Sequence, residues 1–174
     1  LINVIRTECN DNVILATAEG MAICFNENDV RPMGRDAAGV RGILLSGTDY
    51  VVGAEKAEEG KTLLTITENG FGKRTSMDEF IRSTGEPQHR GGLGIKGHQV
   101  TDKTGKVAAV QTVHEDDDIM IISDDGTIIR MAAADVNIYN RSAQGVRVMR
   151  VSPDSKVIAL ARVDKEMDDG AAES

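Results

Sequence analysis

Three short segments of this sequence combine residue types that bind phosphate. Each reads Arg, three residues, Gly, a β-branched residue, then Arg or Lys. They are Arg35 with Gly39, Val40 and Arg41; Arg90 with Gly94, Ile95 and Lys96; and Arg141 with Gly145, Val146 and Arg147. Guanidinium and ammonium groups pair with phosphate oxygens. A glycine between them removes the Cβ that would keep the backbone N–H groups at a distance. The middle segment adds Gln88, His89, Gly91 and Gly92 and is the most suited to this use. Phosphates carry no base identity, so binding through such loops tolerates any sequence. Lys73 and Arg74 form a further basic pair of the same kind. A structural alternative stands beside this reading. Gly39, Gly94 and Gly145 also suit bulges that start a strand, with the following cations as solvated surface residues.

Other chemistry is absent from the pattern. No P-loop is present, and no GxGxxG opens a helix; the glycines at 91, 92, 94 and 97 lack the Walker spacing. His89, His98 and His114 show no metal-ligand spacing, and the acids at 115–118 read as a solvated turn. Tyr50 and Tyr139 fall in strand-like contexts. Cys9 and Cys24 have no CxxC or Cys/His spacing and read as small, partly buried apolar residues in a reducing compartment. Aromatic residues are 3% of the chain and Trp is missing, which argues against binding single strands by base stacking.

The elements that must hold these loops repeat three times. Residues 13–25, 63–74 and 119–131 are each an apolar run, a polar turn and a second apolar-leaning run. The turns carry Gly20, Gly70 and Gly126, and Asn69 with Gly70 and Asp125 with Gly126 are two-residue hairpin signals. The basic loop follows each turn glycine, Gly to Gly, by 19, 24 and 19 residues. A last apolar run closes each unit, at 50–54, 107–110 and 157–160. Apolar positions alternate or fall in short β-branched stretches, so a helical period fails; only 76–81 suits a helical turn. A unit of about 50 residues with roughly four strands has the size of a propeller blade, and a blade buries its faces only by stacking on neighbours. The expected fold is all-β, a partial ring of about three four-stranded blades near 11–56, 61–113 and 118–163. Residues 1–8 are expected to be the closing strand of a preceding blade, and the chain to be a segment of something longer.

Composition limits the partners. The 174 residues are 40% hydrophobic and carry a net charge of −8. That total argues against a generic nucleic-acid binder. Its distribution does not: residues 164–174 hold five acids and one base and read as a disordered acidic tail. Residues 71–106 hold seven Lys/Arg against four acids. Local basic density decides where a phosphate backbone docks. No apolar run is long enough to cross a bilayer, and no leader of the secretory type opens the chain.

With these residues in view, the chain resembles the C-terminal domain of DNA gyrase A, over residues 1–163. That family carries a short box of Gln, a basic residue, Arg, Gly, Gly, Arg, Gly and a basic residue. Gln88, Arg90, Gly91, Gly92 and Gly94 match it. His89 and Leu93 replace two basic positions, Ile95 stands where the box ends in Lys or Arg, and Lys96 follows one position on. This is similar to the degenerate box of a later blade, with the principal box expected before Leu1. The hairpin at 69–75, the Arg-x3-Gly loops and the hairpin at 125–130 are similar to the same family.

The resemblance implies a β-pinwheel, a propeller-like ring whose blades exchange strands. It implies that duplex DNA bends around a basic outer rim, with Gln88, His89, Arg90, Gly91, Gly92, Gly94, Lys96, Lys73, Arg74, Arg35, Arg41, Arg141 and Arg147 as DNA-binding candidates. It implies a non-catalytic part of an ATP-dependent type IIA topoisomerase that introduces negative supercoils in the bacterial cytoplasm, at the nucleoid. The partners would be double-stranded DNA, the rest of the gyrase A polypeptide, and gyrase B in an A2B2 assembly. The segment itself would hold no cofactor; ATP and Mg2+ would bind elsewhere in that assembly. The alternatives are the related C-terminal domain of topoisomerase IV and, in a different class, a protein-interaction propeller. The latter usually carries aromatic or Trp-Asp signatures absent here.

Overall fold

The computed structural model describes residues 1–163. The acidic tail read at 164–174 lies outside the described residues. Among the described residues, eleven strands form three antiparallel sheets. The first sheet takes β1 (Asn12–Thr17), β2 (Met21–Asn26), β3 (Val51–Lys56) and, from beyond the second hairpin, β6 (Ile95–Lys96), with β4 (Thr62–Thr67) and β5 (Phe71–Ser76) intervening in the chain. The second takes β4, β5, β7 (Val107–Val113) and a strand from the third repeat, β10 (Val146–Arg147). The third holds β8 (Asp118–Ser123), β9 (Ile128–Ala132) and β11 (Val157–Val163). The second and third basic loops thus each end in a two-residue strand that pairs with the hairpin of the preceding repeat: Met21 and Ala22 face Lys96 and Ile95, and Gly72 and Phe71 face Val146 and Arg147. Blades exchange strands, as the pinwheel resemblance implied.

The turns differ from the two-residue hairpins expected. Gly20, Gly70 and Gly126 have φ near +80°, but no residue beside them does. The N–H of each glycine donates to the residue three back, Thr17, Thr67 or Ser123. This is a type I turn closed by a left-handed glycine, the three-residue hairpin form. The Thr17 and Thr67 hydroxyls accept the next N–H, from Met21 and Phe71. In the first two hairpins a threonine hydroxyl thus braces this longer turn, which stands where Asn69 and Gly70 suggest a type I′ turn.

Burial explains why the units stack. Leu63 and Leu64 are neighbours on β4 and so point to opposite faces of the sheet. Leu63 joins a core with Ile14, Ala22, Cys24, Phe80 and Val110 toward the first sheet. Leu64 joins Ile119, Ile121, Val136, Met149 and Val157 toward the third. Each such side chain contributes about 1.5–3 kcal/mol when buried, and neither core closes without two blades. A 3-10 turn follows the hairpin in every repeat, at Glu27–Asp29, Met77–Phe80 and Ala133–Asp135. The sequence pattern anticipates only the middle one, because its apolar Met77 and Phe80 are visible there.

Residues 1–8, expected to close a preceding blade, form no strand on the three sheets described: Leu1, Ile2 and Val4 are exposed, and Asn3 Nδ2 donates to Ala54 O at the edge of β3. Cys9 is exposed with φ of 78°, not partly buried, whereas Cys24 is buried; both are free. Burial pushes the Cys24 thiol up to about 11.

Candidate nucleic-acid interface

The sheet order sets an inside and an outside. β7 packs between β3 and β11, so these three strands share one side of the stack, and Glu55 on β3 accepts from Thr112 N on β7 at 3.1 Å across it. β6 and β10 lie at the opposite edges of their sheets. The basic loops that feed those strands therefore run along the edge remote from the packed side.

The loops touch one another in a repeating way. Arg90 Nη1 donates to Arg41 O at 3.2 Å. Arg141 Nη1 donates to Lys96 O at 3.1 Å. In both cases the first arginine of one corner holds the backbone of the last basic residue of the corner before it. Gly91 N and Gly42 O, Leu44 N and Gly92 O, and Gln99 N and Ala143 O add backbone bonds between successive corners. Corners 35–41, 90–96 and 141–147 thus form one continuous edge.

Glycine is required where the corner meets its host sheet. Gly94 and Gly145 have φ of 74° and 73°, and a Cβ there would be driven into the carbonyl oxygens of Ala22 and Gly72. Gly39 has φ of 82° but no atom within 4 Å of such a Cβ. The strand-start reading of these glycines is correct for two of the three.

The candidate side chains divide into two groups. Arg35, Arg41, Lys96 and Arg147 are exposed along the edge, with Lys96 Nζ 3.0 Å from Gln99 Oε1 and Arg147 5.2 Å from the centre of the Phe71 ring. Lys103 lies 5.4 Å from the same ring, so it adds a cation beside Arg147 that the loop motif does not contain. Arg90 and Arg141 are half-buried, and Arg90 Nε also donates to Asp29 O at 2.8 Å. Gln88 is half-buried and pairs through its backbone with Cys24 O; exposed His89 stands 3.2 Å from Asp29. Gly91 and Gly92 lie in the corner beside Arg41 and Ile23.

Lys73 and Arg74 must be corrected as DNA ligands. They are 0% and 4% exposed. Lys73 Nζ donates to Asn140 O and Arg141 O at 2.7 and 2.6 Å, and Arg74 Nε to Val136 O at 2.6 Å. Lys73 holds the underside of the third corner, where the equivalent Ile23 packs below Gly92 in the second, and Arg74 holds the end of the 3-10 turn that precedes it. Burial pushes Lys73 down to about 8, Glu79 opposing and Arg141 adding to the shift. Burial and then Lys73 push neighbouring His98 down to about 4, so it is neutral near pH 7. A basic pair in a strand is ambiguous in sequence, because a long cationic chain can reach out to phosphate or in to carbonyls.

Comparison with known proteins agrees with this architecture. The family model described as DNA gyrase C-terminal domain, beta-propeller, matches residues 11–58, 61–114 and 117–164. The DNA gyrase A protein of Staphylococcus epidermidis is 39% identical over 170 residues, covering 97% of this chain and 18% of that protein. Its Staphylococcus aureus counterpart is 38% identical over 171 residues, covering 97% and 19%. The chain thus spans about a fifth of the length of these relatives. A solved DNA gyrase A C-terminal domain superposes with a TM-score of 0.81 at 28% identity, over 90% of this chain and 52% of that one. A topoisomerase IV C-terminal domain gives the same TM-score at 23% identity, over 90% and 47%, and shares the fold. Three repeats matched one by one, and a strand exchange linking each to the next, place the chain in the DNA gyrase C-terminal domain family.

Proposed function

We propose that this chain binds duplex DNA along the continuous edge formed by its three basic corners and bends the duplex around that edge. The supporting observation is the chain of contacts from Arg41 through Arg90 and from Lys96 through Arg141. It sets exposed Arg35, Arg41, Lys96 and Arg147 in succession rather than on scattered faces. Bending 20–30 base pairs costs about 1–6 kcal/mol, which a row of phosphate contacts can offset. In the parent protein this module would serve the ATP-dependent supercoiling that the name of its relatives, DNA gyrase, denotes. The catalytic centre, ATP and Mg2+ would lie in other parts of that assembly with gyrase B, in the bacterial cytoplasm.

The test is duplex binding across salt. The four exposed corner cations, Arg35, Arg41, Lys96 and Arg147, predict a log–log slope of about −3.6, or roughly 150-fold weaker binding from 50 to 200 mM salt. Replacing Arg41, Lys96 and Arg147 together with Ala should reduce that slope by about 3 while leaving the melting temperature near its original value. Arg90 is spared because it holds the corners together. An unchanged slope in the triple variant refutes the assignment.

A further inference from the structure

An acid stands nine residues after the turn glycine in every repeat: Asp29 after Gly20, Glu79 after Gly70, and Asp135 after Gly126. All three belong to the 3-10 turns. In the two repeats that receive a corner, this acid meets the same group. Asp29 Oδ2 lies 3.4 Å from the backbone N of Arg90, and Glu79 Oε2 accepts the backbone N–H of Arg141 at 2.7 Å. Asp29 also faces His89, and its carbonyl takes Arg90 Nε. Asp135 is exposed and, among the described residues, receives no corner.

We propose that these acids are seats: positioning residues that fix the incoming corner of the next blade so that its cations face the DNA. The inference deepens the DNA-wrapping reading and rests on it for its binding readout. It runs against simple charge counting. A carboxylate next to a phosphate path repels DNA, so its removal ought to tighten binding. A seat predicts the reverse. The buried lysine below the same corner strengthens the geometric case, since Lys73 grips Asn140 O and Arg141 O while Glu79 holds the Arg141 N–H. Hydrogen bonds to a charged acceptor are among the stronger ones, and an N–H deprived of this acceptor lets the loop drift.

The experiment uses the 174-residue chain and a fluorescent duplex of about 40 base pairs with a donor and acceptor dye at its ends. Glu79→Ala should weaken binding about five-fold and lower the end-to-end energy transfer that reports bending. Glu79→Gln, which keeps an oxygen acceptor and loses the charge, should bind at least as tightly as the parent. Asp135→Ala should not weaken binding. Amide hydrogen exchange should rise at Arg141 in Glu79→Ala and stay unchanged in β4. Tighter binding by Glu79→Ala, or equal weakening by Asp135→Ala, overturns the proposal. If Glu79→Ala fails to fold, Asp29→Ala reads the same outcome at the other seam through exchange at Arg90. If the parent chain shows no salt-dependent duplex binding, the wrapping reading falls, and unchanged exchange at Arg141 would overturn the seat as well.

Discussion

Replacing Gly145 and Gly39 with Ala, one at a time, separates strand exchange from a merely glycine-rich loop. Both residues have positive φ, 73° and 82°. Alanine in that region costs about 1–2 kcal/mol at either site. Only Gly145 lies against a host strand, where the new methyl would overlap the Gly72 carbonyl and sit 3.3 Å from the Lys73 Cβ. Backbone cannot swing aside as a flexible side chain can, so the host strand must shift. Forcing atoms into a packed site costs about a further 1–3 kcal/mol. At Gly39 no atom lies within 4 Å and that second cost vanishes. For a domain of this size each kcal/mol moves the melting temperature by about 2–4 °C. Thermal unfolding followed by far-UV circular dichroism should place Gly145→Ala roughly 2–12 °C below Gly39→Ala. Equal midpoints, or a lower one for Gly39→Ala, would mean that the third corner does not enter the second sheet as described.

Two further outcomes follow from buried titratable groups. Lys73 titrates at about 8 in the fold against 10.5 when unfolded. Below pH 8 both states are charged and the burial cost stands in full. Between pH 8 and 10.5 the unfolded chain binds more protons, so stability rises with pH, by about 3 kcal/mol if the whole shift is realised. Urea midpoints of the parent relative to Lys73→Met should move in the parent's favour across that window; a gap constant from about pH 7 to 10 would place the ammonium in water. Cys24, buried and with its thiol pushed up to about 11, should stay unlabelled by a thiol reagent at about pH 8 in the folded chain, while exposed Cys9 reacts at once. Comparable labelling of both would mean that the core between the first two blades is open.

The hairpins, the three-fold repeat and the corner glycines are legible because they are local: turn chemistry and alternation act within a dozen residues. What escapes a reading of the sequence is contact between repeats. Lys73 and Ile23 occupy the same place in their hairpins, yet one grips carbonyls and the other packs on glycine. Nothing local to β5 says that Asn140 and Arg141, more than sixty residues on, arrive beneath it. The acids at Asp29, Glu79 and Asp135 are detectable, since their nine-residue offset is as regular as the glycines. They pass unnoticed when basic residues alone are aligned.

The corner motif, seen in space, divides its two charges between two tasks. In the second and third corners the first arginine points back: Arg90 to Arg41 O and Asp29 O, Arg141 to Lys96 O. Its last basic residue, Arg41, Lys96 or Arg147, stays exposed at the edge. A guanidinium suits the first task because its planar fork can serve two carbonyls at once, whereas an ammonium serves the second equally well as a point charge. This accounts for Arg at the first position of the second and third corners, and for Arg, Lys and Arg at the last position of the three; Arg35 has no corner before it among the described residues and is exposed. It also reconciles the net charge of −8 with a phosphate-binding edge. Acids such as Asp29 and Glu79 are engaged by the corner backbones, while Arg41, Lys96 and Arg147 stay exposed.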